Sequence, residues 1–222
     1  MTGEPVLLAI DSATTRVVVA VGTSAGVVLG SADWPAGYRH GETLLPAIDA
    51  MLAGLGIERS QVAAVVVGTG PGAFTGLRVG IATAKGIATA LDRPIIGIPT
   101  ADALLDGLAE GARLLLPAGP SDRLAVTRGA PAELVPAGDE PATGSGDGPL
   151  LALDLAGRAS ADALARGEAA RAGLGLALLR LGAARLAAGT VDDLARLVPD
   201  YVTLPRGVRS AGGEVSWSRD RR

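Results

Sequence analysis

The chain has 222 residues, enough for one or two domains with a sizeable buried core. Apolar residues make up 48%, which excludes a disordered chain, and a net charge of -3 excludes whole-surface attraction to nucleic acid. With no cysteine there is no disulfide, zinc thiolate or cysteine nucleophile, and 2% aromatics argues against a base-stacking platform.

Val6–Ile10, Val17–Val21 and Gly26–Gly30 are short apolar runs separated by small or polar clusters, the spacing of a meander of three antiparallel strands. The first two runs do not alternate, so they belong deep in a covered sheet. From Glu42 to Leu55 the period changes: Leu44, Leu45, Ile48, Met51, Leu52 and Leu55 lie at helical spacing. Pro46 fits a helix starting near Glu42 or Thr43, and Gly54 and Gly56 mark the stop. Val62–Val67 reads as a buried strand, Gly68–Gly76 as a glycine-rich turn, Leu77–Leu91 as a helix capped by Thr75, and Pro94–Ile98 as the next strand. Strand, helix and strand of this length make a right-handed crossover between parallel strands.

Beyond Thr100 the pattern weakens. Thr100–Glu110 reads as a helix, Arg113–Leu116 and Arg123–Thr127 as strands, Ala137–Gly148 as a loop, and Leu150–Asp154 as a strand. Ser160–Arg166 and Gly173–Ala188 read as helices, and Arg206–Arg222 as a mobile arginine-rich tail. Leu150–Asp154 echoes Leu7–Asp11, which is either the trace of a duplication or coincidence. The expected division is 1–99, a smaller unit over 100–205, and the tail. The start of the chain has no basic, apolar leader and no apolar run reaches the roughly 18 residues of a membrane span, so a cytoplasmic protein without membrane association is expected.

Four features bear on chemistry. Asp11, Ser12 and Thr14 close the first strand, either as an anion-binding turn or as a hairpin turn bonding its own backbone. The loop containing Gly68, Gly70, Pro71, Gly72, Thr75 and Gly76 lies between strand and helix. It lacks the lysine of a P-loop, and the next strand, ending Ile98-Pro99-Thr100, lacks the acid of a dinucleotide fingerprint. The following helix carries Gly80, Ala82, Ala84, Gly86, Ala88 and Ala90, small residues that either pack on their own sheet or admit a helix from a partner. His40 is the sole histidine, which excludes a two-histidine zinc protease site, and no Gly-x-Ser-x-Gly elbow is present. No catalytic residue and no metal ligand set is expected.

Leu7–Thr14, His40–Pro46 and Gly68–Gly80, in this order and spacing, closely resemble the TsaB (YeaZ) family of the bacterial tRNA threonylcarbamoyladenosine pathway, within the wider glycoprotease-like family. Pro199–Arg206 resembles the family's ending. The resemblance implies a two-domain α/β fold of the actin, Hsp70 and sugar-kinase type, with a ribonuclease H-like mixed sheet in the N-terminal domain. It implies a non-catalytic partner of TsaD, which transfers threonylcarbamoyl to N6 of adenosine 37 in tRNAs reading codons that start with A. A small ATPase, TsaE, joins that assembly; tRNA is met indirectly, and no cofactor is held by this chain alone, ATP or ADP entering with the complex. Association through N-terminal helices maps onto His40, Leu44, Leu45, Ile48, Leu77, Arg78, Ala82 and Gly86, and self-association uses the same surface. Ala73 departs from the family's usual Ser, and Pro117–Arg123 from its Asp-Ala-Arg-x-x-Glu segment. The alternative is an ATP-binding kinase-like enzyme of the same superfold using Asp11, Ser12 and Thr14 on phosphate.

Overall fold

The continuous apolar runs form the middle of a sheet covered on both sides. In the computed structural model, which describes residues 3–35, 40–139 and 148–201, strands β1 (Val6–Asp11) and β2 (Arg16–Thr23) are buried almost throughout. They join β3 (Val28–Pro35), β4 (Val62–Gly68) and β5 (Ile95–Ile98) in the order β3-β2-β1-β4-β5. β1, β2 and β3 pair antiparallel, while β4 runs parallel to both β1 and β5. The period of two along each strand sorts the core: Leu8, Ile10, Val19 and Val65 face one way and Leu7, Ala9, Val18 and Val66 the other. The third strand starts later than the apolar run suggests, because Gly26 turns the chain at φ +83° and the Thr23 amide bonds the Val27 carbonyl.

Helices α1 (His40–Gly54) and α2 (Phe74–Leu91) cover the first face side by side, inserting Leu44, Ile48, Leu52, Ile81, Ala84 and Ala88. α1 starts at His40, so Pro46 lies inside the helix and not in its first turn. α2 starts at Phe74 with Ala73 as its N-cap, so Thr75 is a first-turn residue and not the cap; Ala73 has no side-chain oxygen to offer the free amides. The expected helix after β5 is only α3 (Thr100–Leu104), since the chain turns through Gly107 at φ +72°.

The second sheet is β6 (Arg113–Pro117), β7 (Arg123–Thr127), β8 (Glu133–Val135) and β9 (Leu150–Ala152), in the order β8-β7-β6-β9. Its pairings, antiparallel at β8-β7-β6 and parallel at β6-β9, repeat those of β3-β2-β1-β4. In that repeat β9 corresponds to β4 and not to β1, so the likeness of Leu150–Asp154 to Leu7–Asp11 does not join equivalent strands. Helix α4 (Ala161–Ala172) packs on β9, its first turn capped by Ser160, whose hydroxyl accepts from the Ala163 amide.

Helix α5 (Leu174–Ala187) comes back to the first sheet, with Leu174, Leu178, Leu179 and Ala183 closing its second face. Gly182 permits that approach: a Cβ there would stand 2.4 Å from a Val66 methyl. Residue 99 is thus where the first pass over this sheet ends. The chain then straps its open edge: Asp192 bridges Ile95 and accepts the Gly97 amide at 2.8 Å, and Leu194 and Leu197 pack on the core. The whole is a two-sheet α/β fold, each sheet mixed in strand direction. Among the described residues no helix is long and apolar enough to cross a membrane. The expected tail at 206–222 and most of the loop at 137–148 lie outside the described residues.

Candidate functional site

The glycine-rich loop and the end of β1 form one interlocked unit. Asp11 is wholly buried; its Oδ1 accepts the Ala13 amide at 2.9 Å and its Oδ2 accepts the Thr100 hydroxyl at 2.6 Å. Thr100 Oγ1 accepts the Gly70 amide at 3.0 Å, and the Thr100 amide donates back to the Gly70 carbonyl at 2.6 Å. The glycines make room for this. A Cβ on Gly68 would lie 1.7 Å from Asp11 Oδ2, and one on Gly72 would lie 2.1 Å from the Ala13 carbonyl. Gly70 has φ +105°, a left-handed conformation that favours glycine. Burial pushes the Asp11 carboxyl up to about 6, against the bonds from Thr100 and Ala13 that favour the ionised form.

Asp11, Ser12 and Thr14 are therefore together but turned inward, which corrects the phosphate-cradle reading. The Ser12 hydroxyl donates to the Gly76 carbonyl at 2.8 Å, and the Thr14 hydroxyl donates to the Arg16 carbonyl at 3.1 Å. All three residues are buried and bonded to their own loop and turn, the hairpin alternative. Pro71 and Gly72 line the cleft beside them, Thr75 is an exposed first-turn residue of α2, and Gly76 is buried beneath that turn.

Between this unit and the second sheet lies a cleft of about 380 Å³, lined by Ala13, Thr15, Phe74, Leu116, Asp154 and Tyr201 among others. Asp154, at φ +56°, accepts the Thr15 amide at 2.9 Å, the Thr15 hydroxyl at 2.5 Å and Arg171 Nη1 at 3.0 Å. Its carboxylate is committed to holding the two halves of the cleft together. Among the described residues no three His, Asp or Glu side chains cluster as a metal site would need.

The outer helices divide the expected interface residues into two groups. Leu44, Ile48 and Leu77 are 1%, 3% and 1% exposed, so they belong to the protein's own core and not to a docking surface. Leu45 is 51% exposed, and Arg78, Ala82 and Gly86 run in one exposed line along α2. His40 opens α1. Gly80 does not clear a path for a partner: a Cβ there would stand 2.2 Å from Ser12 Oγ, so Gly80 serves the interlocked loop. Around Gly86 nothing lies within 4 Å of a built Cβ. A groove of about 300 Å³ between α1 and α2, lined by Leu45, Ile87 and Ala90 among others, adjoins that line.

Tyr201 was not singled out as a site residue by sequence reasoning. Its ring lies 5.0 Å from that of Phe74, and Arg78 Nε donates to its hydroxyl at 2.8 Å. The only signal was the Pro199–Arg206 motif, which carries no indication of where it folds back.

The family model described as TsaD, tRNA N6-adenosine threonylcarbamoyltransferase, matches residues 35–122. An uncharacterized protein of Mycobacterium tuberculosis is 40% identical over 99 residues, 44% of this chain and 47% of that protein. The tRNA threonylcarbamoyladenosine biosynthesis protein TsaB of Haemophilus influenzae is 42% identical over 71 residues, 32% of this chain and 30% of its own length. The solved structure of YeaZ from Pseudomonas aeruginosa shares the fold, with a TM-score of 0.67 at 22% identity over 89% of this chain and 100% of that one.

The chain is similar in sequence to TsaB proteins over part of its length, 34% identical over 101 residues to that of Escherichia coli, and it shares the fold of YeaZ. The sequence match spans less than half the length of these curated relatives. The likeness to YeaZ extends the shared fold beyond the span that the sequence match covers.

Proposed function

We propose that this chain is a non-catalytic subunit of threonylcarbamoyladenosine formation on tRNA, docking on TsaD through the outer face of α1 and α2. In this reading TsaD transfers threonylcarbamoyl to N6 of adenosine 37, TsaE joins the assembly, and the chain meets tRNA only through its partner in the cytoplasm. The names of the TsaB relatives support the pathway. The observation that carries the docking face is the open line of Arg78, Ala82 and Gly86 on α2, where a neighbouring helix backbone can approach closely. A second copy of the chain meets the same face when TsaD is absent. The buried, internally bonded Asp11 supports the accessory role, because a kinase-like use of this carboxylate needs it open to the cleft.

Size-exclusion chromatography of the full chain mixed with its cognate TsaD tests the reading, alongside threonylcarbamoyl transfer to tRNA with and without the chain. Co-elution and faster transfer are expected, with no ATP turnover by the chain alone. Separate elution with unchanged transfer would contradict the reading, and ATP hydrolysis abolished by Asp11→Ala would favour the enzyme alternative.

A further inference from the structure

The line of small residues on α2 ends at an arginine whose side chain is held from two sides. The Arg78 guanidinium carbon lies 3.8 Å from the Phe74 ring centroid and 5.7 Å from that of Tyr201. Its Nε donates to the Tyr201 hydroxyl at 2.8 Å. Tyr201 is itself fixed, since the preceding Asp200 amide donates to the Thr69 carbonyl at 2.8 Å and the two rings are in contact. It reaches this place at the end of the strap that runs along the β5 edge through Asp192 and Leu197. A surface arginine normally samples many rotamers. Here stacking and one hydrogen bond fix the plane, and the Nη1 and Nη2 groups have no partner among the described residues.

We propose that Arg78 is a preorganised carboxylate receptor at one end of the α2 docking line, and that Tyr201 is its positioning residue. The inference rests on the docking reading above and sharpens it: the partner helix that lies along Ala82 and Gly86 carries an Asp or Glu opposite Arg78. With Nε engaged by Tyr201, the two terminal NH2 groups offer an end-on fork to that carboxylate, a geometry that lysine does not reproduce. Fixing the fork before association reduces the side-chain entropy lost on docking. The strap thereby connects the end of the described chain to the partner face.

The test is a double-mutant cycle on the full chain binding TsaD, read by isothermal titration calorimetry with melting temperatures in parallel. Tyr201→Phe keeps the ring and removes the hydroxyl, and is expected to weaken binding about tenfold. Arg78→Ala is expected to weaken it roughly thirtyfold or more, with Arg78→Lys restoring little. In the Arg78→Ala background Tyr201→Phe has no further effect, while folding is unchanged in every variant. Equal effects of Tyr201→Phe in both backgrounds, full rescue by Arg78→Lys, or wild-type affinity of either single variant overturns the inference and leaves the docking reading standing. Failure of the wild-type chain to bind TsaD overturns both.

Discussion

Gly80 and Gly86 lie on the same helix and face opposite ways. Gly80 is buried against Ser12, where a Cβ would be 2.2 Å from the hydroxyl oxygen, whereas Gly86 has open space around it. Along the inward side of α2, small residues record a fit that is already made: Gly76 accepts the Ser12 hydroxyl, and Ala84 and Ala88 press on the sheet. On the outward side, Ala82 and Gly86 touch nothing comparable, although a glycine in a helix interior costs about 1 kcal/mol relative to alanine. Residue type alone does not separate the two roles. Orientation does, and it follows from the helical period.

Gly80→Val should break the inward side most severely. The new side chain displaces Ser12 and its bond to the Gly76 carbonyl, so unfolding in urea should show a loss of roughly 3 kcal/mol or more. A loss below about 1 kcal/mol would mean that the loop and helix are not interlocked as described.

The next effect is set by pH. Burial raises the Asp11 carboxyl to about 6 from an ordinary 3.8, so the native state binds more protons than the unfolded state between these values. Stability should therefore fall by about 3 kcal/mol as pH rises from near 4 to near 6, and level off above that. Asp102, raised by partial burial against the opposing charge of Arg128, contributes in the same direction. Asp11→Asn should remove most of this slope, measured by chemical denaturation at stepped pH; an unchanged slope would reassign it to other groups.

The smallest effect lies where the two sides of α2 meet. Ala73 is an N-cap without a side-chain acceptor. Ala73→Ser supplies one and should add about 0.5–1 kcal/mol, read as a rise in melting temperature, without altering partner binding.

Much of the first sheet was legible because β1, β2, β4 and β5 are continuous apolar runs that make sense only when covered on both faces. The three-residue β8 has one inward apolar side chain, Val135, too little for a periodic signal. The return of α5 to the first sheet depends on contacts far apart in sequence, as does the strap that carries Tyr201 to Arg78. The inward phase of Gly80 was available in the sequence: with Leu77, Ile81, Ala84 and Ala88 it completes one helical stripe, and Gly86 falls outside it. Leu44, Ile48 and Leu77 belong to the core for the same reason. The burial of Asp11 under Gly68 and Thr100 was not available, because nothing local announces that a strand-end carboxylate will be covered by a loop from the neighbouring strand.

The outward side of α2 is tested most directly by Gly86→Leu. A Cβ there has no atom of its own chain within 4 Å, and leucine improves helix propensity, so the variant should fold with a melting temperature at or slightly above wild type. The docking account predicts that it no longer co-elutes with TsaD while the wild-type chain does. Wild-type co-elution of the folded variant would contradict the account.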